Sequence, residues 1–218
     1  MPGDDAPAVE RDGAWLAAYA TPEVEADSAE HGLLSSMLRK GVPHARVVTV
    51  QRVQHRTLWG RFAHFRDQEL KPFNGGDANE AYLWHGTGAT PPSGVLAHGL
   101  DPRLGSGGGF YGQGTYLAER AAYPIGGRYA HRVHGFGGAR MSLLLVRVAC
   151  GAPQDLGARV DAATKAMRMP DARPEGGRRY DCVRAGPHRP FVSGAGGGGG
   201  GDGDDASVIH VLYESRQM

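Results

Sequence analysis

Cysteine is scarce in this chain: Cys150 and Cys182 are the only two among 218 residues. Two thiols cannot build the disulfide framework of a small secreted domain, and they lie too far apart in sequence for a zinc signature. Each reads as a structural residue, so the expected compartment is reducing and intracellular, nuclear or cytoplasmic. An excess of one charge is lacking too, with 24 Lys and Arg against 23 Asp and Glu and a net charge of +1. That balance gives no electrostatic signature of a nucleic-acid or anionic-membrane partner. No window approaches the ~18 apolar residues of a membrane span. The opening MPGDDAPAVERDG is acidic and has no apolar core of the kind a signal peptide needs.

What is abundant is glycine, 35 residues, with 14 prolines and a hydrophobic content of 40%. The apolar share suffices for a real core. Many of the glycines fall in GAGGGGGGDGDD, residues 194–205, which can bury nothing and reads as a flexible insertion. Residues 1–25 read as a loose lead-in and 26–218 as one folded domain.

Helical periodicity is expected over 25–40, where Leu33, Leu34, Met37 and Leu38 recur before Gly41 and Pro43. RVVTVQRV (46–53) alternates like a strand, and Leu58, Phe62 and Phe65 share one helical face. YLWH (82–85) reads as a buried strand ending at Gly86, and SGVLAHGL as a short helix with Ser93 at its start and Gly99 at its end. TYLAERAA reads as a strand turning into a helix. MSLLLVRVACG is the strongest strand signal and is expected at the centre of a sheet. RRYDCVRAG, HRPFV and SVIHVLYES supply further strands. The fold class is α+β, mostly antiparallel, with flanking helices.

Gly107, Gly109 and Gly112 match G-x-G-x-x-G. A dinucleotide fingerprint needs a strand before it and a helix opening inside it, and here a helix precedes and a strand follows. The segment still suits a loop whose bare backbone approaches a ligand. His131 and His134 lack a third ligand at a telling spacing and read as a solvated helix face, and Asp202, Asp204 and Asp205 lack the closing glutamate of a calcium loop. No metal is expected.

The remaining constellation is His85-Gly86-Thr87 in YLWHGT, Tyr116 in YGQGTYLAERAA and Tyr129 in GGRYA. With VQRVQHRTLWGRF, LAHGLDPR, YDCV and SVIHVLYESRQ, these segments in this order resemble the catalytic domain of the poly(ADP-ribose) polymerase family, the diphtheria-toxin-like ADP-ribosyltransferases. The resemblance runs from about Val47 onward and is strongest to the mono-ADP-ribosylating branch with macrodomain-bearing members. It implies that NAD+ is the substrate and that no metal takes part. His85 would hydrogen-bond the ribose beside the nicotinamide, and the Gly86 backbone its carboxamide. Tyr116 would line the pocket and Tyr129 stack on the ring. Thr87, Arg103, Gly109, Tyr111, Gly114, Ala118 and Pro124 would complete the donor site.

Three departures from the family pattern stand out. Ile209 takes the place of the glutamate of polymerising members, so the catalytic triad reads His85-Tyr116-Ile209. Pro124 stands where a serine hydroxyl usually holds the nicotinamide amide. The family continues past SRQ into one more strand, which implies a chain cut short at Met218. The expected activity is transfer of one ADP-ribose to protein side chains, Asp or Glu foremost. A catalytically silent fold serving as an interaction module stays open as the alternative, and transfer to a nucleic-acid phosphate is the less favoured third reading.

Overall fold

The computed structural model describes residues 19–105, 108–133, 140–189 and 206–218. Gly107, His134 and the 194–205 insertion lie outside the described residues, as does most of the expected lead-in.

Helix α1 (Ala29–Gly41) starts at Ser28, whose hydroxyl accepts from the His31 N–H, and ends with Arg39 and Lys40 in its last turn. Both ends thus have the chemistry that the helix dipole and its unpaired amides favour. Helix α2 (Arg56–His64) runs into a π-helical turn at Phe65–Leu70. Its apolar face is real: Phe62, Phe65 and Leu70 pack with Ala78 and Ala149 in one buried cluster.

Eight strands follow among the described residues: β1 (Glu80–His85), β2 (Thr115–Ala118), β3 (His131–Val133), β4 (Arg140–Ser142), β5 (Leu144–Ala149), β6 (Pro153–Gly157), β7 (Cys182–His188) and β8 (Ser207–Leu212). Strands β3 and β4 form a separate pair, and the other six form one sheet in the order β5-β1-β2-β8-β7-β6. All its pairings are antiparallel except β6 with β7. The short helices are α3 (Pro92–His98), α4 (Ala122–Gly126) and α5 (Ala162–Lys165). The α+β, mainly antiparallel expectation holds.

Side-chain alternation gives the sheet two buried faces. Ala118, Ile209 and Val211 lie in a cluster with Tyr111, Tyr123, Val183 and Ala185. Leu83, Leu117 and Leu212 lie in another with Val148, Cys150 and Cys182. The first face carries Tyr111, Tyr116 and Ile209 of the sequence-predicted site.

Four local expectations are corrected. Residues 46–53 form no strand: their extended backbone meets residues 20–24 only through the isolated bridges Ala20↔Gln54 and Glu23↔Gln51. An irregular partner offers no continuous ladder. Strand β5 is an edge strand rather than a central one. Its Val148 and Ala149 face different core clusters, so the apolar run records cover on both faces, not pairing on both edges. Helix α3 begins at Pro92, and Ser93 lies inside it with no side-chain cap, because proline's fixed φ suits the first turn. His131 belongs to strand β3, not to a helix face, and its Nδ1 pairs with the Gly88 carbonyl.

Candidate active site

Strand β1 delivers His85 at its last position, opposite Leu144 of β5. Its Nδ1 lies 2.8 Å from the Tyr116 carbonyl of β2. A carbonyl only accepts, so Nδ1 carries the proton and the neutral ring keeps its lone pair on Nε2. Burial pushes the imidazole pKa down, and the Tyr116 carbonyl opposes this only in part. The ring is therefore a neutral acceptor at Nε2.

Gly86 is demanded by its neighbours. A Cβ there would overlap the Tyr129 carbonyl and the Ala130 nitrogen, so only glycine lets the 129–130 peptide lie against the end of β1. The Tyr129 carbonyl in turn accepts from the Gly88 N–H, at 2.6 Å. Thr87 closes the adjacent turn through its hydroxyl, 2.6 Å from the Thr90 carbonyl. Helix α4 holds the other side. The Pro124 carbonyl accepts from both Tyr129 and Ala130, and the rings of Tyr123 and Tyr129 lie 5.9 Å apart. Tyr129 remains 38% exposed, a ring with an accessible surface beside a buried partner.

Tyr116 anchors the glycine-rich loop. Its hydroxyl donates to the Gly112 carbonyl and accepts from the Tyr111 N–H, both at 2.8 Å. A Cβ at Gly109 would strike that hydroxyl, which explains a glycine where the loop crosses the ring. Burial raises the Tyr116 phenol to about 12, so it is a neutral hydrogen-bonding group at physiological pH. Tyr111 is fully buried; its hydroxyl lies 2.6 Å from His188 Nε2 and its carbonyl accepts from the Tyr213 hydroxyl. Gly114 packs against Val211. Tyr116→Phe should strand the Tyr111 N–H and the Gly112 carbonyl, at a cost of roughly 1–3 kcal/mol. A lower urea midpoint with an unchanged slope is the expected reading.

The structure thus brings His85, Gly86, Gly109, Tyr111, Tyr116, Pro124 and Tyr129 into one linked region. Ala118 pairs directly with Ile209 across β2 and β8. Ile209 is only 1% exposed and packs in the same core as Tyr111 and Tyr123. Arg103 stands apart: its guanidinium is solvent-exposed and held by Asp101. Tyr123, His188 and Tyr213 were missed. YP, PH and LYE carry no motif, and only the fold places these rings against the loop.

On the opposite face, two residues expected to act separately come together. Cys150, Cys182 and His210 place their ligand atoms within 4.8 Å of one another. Their separation in sequence hides this, because the residue after β5 and two different strands, β7 and β8, supply them. The Cys182 thiol holds the Cys150 thiol below the ordinary thiol range against the effect of burial, with His210 assisting.

A family model, the poly(ADP-ribose) polymerase catalytic domain, matches residues 30–173. The chain belongs to this family. It is 30% identical over 106 residues to the mouse protein mono-ADP-ribosyltransferase PARP11, covering 48% of this chain and 32% of that protein. It is 30% identical over 101 residues to human protein mono-ADP-ribosyltransferase PARP12, covering 46% of this chain and 14% of the relative. Mouse protein mono-ADP-ribosyltransferase PARP10 is 33% identical over 86 residues, 39% of this chain and 9% of that protein. The match therefore spans about a third or less of each relative's length. Among the described residues no helix is long and apolar enough to cross a membrane.

Proposed function

We propose that this PARP-family domain transfers a single ADP-ribose from NAD+ to protein side chains, aspartate and glutamate foremost, with release of nicotinamide. The observation that carries the reading is the neutral His85 ring, locked through Nδ1 to the Tyr116 carbonyl at the end of β1. Its free Nε2 lone pair is suited to accept from a ribose hydroxyl. Family membership and the names of the relatives support the same reaction.

In the proposed step the bond between the ribose anomeric carbon and the nicotinamide nitrogen breaks, and the ring leaves neutral with the electron pair. An acceptor carboxylate then forms the new bond to the sugar carbon. The transition state has oxocarbenium character, so the site must fix the donor and leave one sugar face open. His85 orients the ribose, Gly86 the carboxamide, and Tyr129 stacks on a ring that begins cationic, a contact of about 0.5–2 kcal/mol. Thr87, Gly109, Tyr111, Gly114, Tyr116, Ala118 and Pro124 complete the donor side, and Arg103, which stands apart, is left out of it.

Single transfer follows from β8. Elongation requires activation of a sugar hydroxyl, whereas a protein carboxylate is already a nucleophile at neutral pH. Ile209 offers hydrocarbon. The carboxylate that follows β2, Glu119, belongs to the other face, where its Oε1 meets His210 Nε2 at 3.0 Å.

The deciding experiment is incubation with NAD+ labelled in the adenylate, with nicotinamide release and product size read together. Released nicotinamide with compact labelled bands is expected. A high-molecular-weight smear would refute single transfer, and absence of both NAD+ binding and turnover would favour the interaction module. Pro124→Ser adds a second test, because it restores a hydroxyl beside Tyr129. NAD+ affinity should tighten by roughly 0.5–1.5 kcal/mol in calorimetric titration, and unchanged affinity would displace α4 from the nicotinamide side.

A further inference from the structure

We infer that Cys150, Cys182 and His210 form a binding site for one zinc ion on the sheet face opposite the donor pocket. The three donors come from separate places in the chain: the residue after β5, the first residue of β7 and the middle of β8. Their ligand atoms already lie within 4.8 Å of one another, all three residues being buried. Tetrahedral zinc, with bonds of ~2.3 Å to sulfur and ~2.0–2.1 Å to nitrogen, sets neighbouring ligands about 3.5–3.8 Å apart. Cys150 Sγ and His210 Nδ1 stand at 3.8 Å. Small side-chain rotations bring the third donor into the same shell.

The surroundings agree with a ligand role. His210 Nε2 lies 3.0 Å from Glu119 Oε1. A proton on Nε2, donated to that carboxylate, leaves the Nδ1 lone pair for the metal. A carboxylate on the far nitrogen is the usual partner of a metal-bound histidine, fixing its tautomer and orientation. Glu119 also lines a cleft of about 350 Å³ with Lys40, Trp84 and Arg120, so the carboxylate that holds His210 borders open space.

Gln217 is the independent observation. Its side-chain nitrogen donates to the carbonyls of Ala149 and Asp181, at 3.1 and 3.0 Å. These are the peptide units immediately before Cys150 and Cys182. Its Oε1 is buried and has no hydrogen-bond partner among the described residues. A buried amide oxygen left unpaired is costly, and it belongs to the side chain that bridges the two peptides leading into Cys150 and Cys182, whose cluster has three donors among the described residues. An oxygen on the fourth vertex, from Gln217 itself or from a water donating to it, resolves both deficits. Two thiolates and an imidazole favour a soft or borderline ion, zinc above magnesium or calcium. Binding releases the thiol protons and any proton on His210 Nδ1, so affinity rises with pH.

The test starts from the full chain produced in zinc-supplemented medium and purified without chelator. Elemental analysis should find about one zinc per chain in the wild type and less than about a tenth of that in Cys182→Ala. Asp161→Asn, remote from the cluster, should retain the ion. Should the cysteine variant fail to fold, the wild type decides alone. Refolded with Co2+, it should show thiolate-to-cobalt charge-transfer absorption and a higher melting temperature than when refolded with EDTA. Absence of bound zinc together with absence of that absorption would overturn the site. So would a Cys150–Cys182 disulfide in protein isolated without reductant.

Discussion

His85→Ala is expected to cut nicotinamide release by roughly 10- to 100-fold, the equivalent of one oriented hydrogen bond of about 1.5–3 kcal/mol, while cooperative unfolding is retained. The side chain does two things, and only one is structural. Its Nδ1 ties β1 to the Tyr116 carbonyl, a bond whose loss costs about 1 kcal/mol. Its Nε2 is the proposed ribose acceptor. The pH profile separates the two. Burial lowers the His85 pKa from 6.5, so the ring stays neutral at and above that pH and becomes a double donor only at more acid values. Activity should therefore show an acid limb below pH 6.5, and the limb should be missing from the residual activity of His85→Ala. The same shift has a sign for stability: the unfolded chain binds this proton more readily, so the contribution is full above pH 6.5 and falls as the pH drops below it. Wild-type turnover in a well-folded His85→Ala protein would remove His85 from the donor site.

The parts of this fold legible in the sequence are those where one local signal suffices. Tyr82, Leu83 and Trp84 followed by Gly86 spell a strand with a sharp end, and β1 stops at His85. SVIHVL is rich in β-branched residues and is β8. Strand β6 was not legible: PQDLG opens with proline, is polar, and lies at a sheet edge beside a parallel partner, where alternation is under little pressure. The alternating 46–53 segment misleads for the opposite reason, because periodicity reports faces and cannot report whether a neighbour exists.

The site divides in the same way. Glycine-rich loops announce close approach, and the loop does press on Tyr116 through Gly109. The reason for Gly86 was only half visible, since its missing Cβ accommodates the Tyr129 carbonyl. Contacts formed across long separations left no trace: Tyr111 with His188, and Cys150 with Cys182 and His210. In each case ordinary core residue types are made special by the strand order.

Ile209→Glu, the substitution that writes the polymerising glutamate back into the triad, is expected to destabilise the protein by roughly 2–5 kcal/mol and to yield no chains. Ile209 is 1% exposed, packed with Tyr111, Ala118, Tyr123, Val183, Ala185 and Val211. A carboxylate there loses its hydration among apolar and aromatic side chains, beneath the Tyr111 loop that Tyr116 holds in place. The new side chain must remain protonated or open the loop. Protonation gives the variant a pH signature of known sign. Its folded pKa rises above the usual glutamate value of about 4.3, so the folded state binds more protons than the unfolded one and stability falls as pH increases from there. Urea midpoints at pH 5 and pH 8 should therefore differ more for Ile209→Glu than for the wild type, with the variant weaker at the higher pH. A neutral acid buried beneath the loop cannot orient an incoming ADP-ribose hydroxyl, so labelled product should remain single ADP-ribose at reduced yield. Polymer formation with wild-type stability would show that position 209 opens onto the acceptor side, and would undo the account of single transfer drawn from the burial of Ile209.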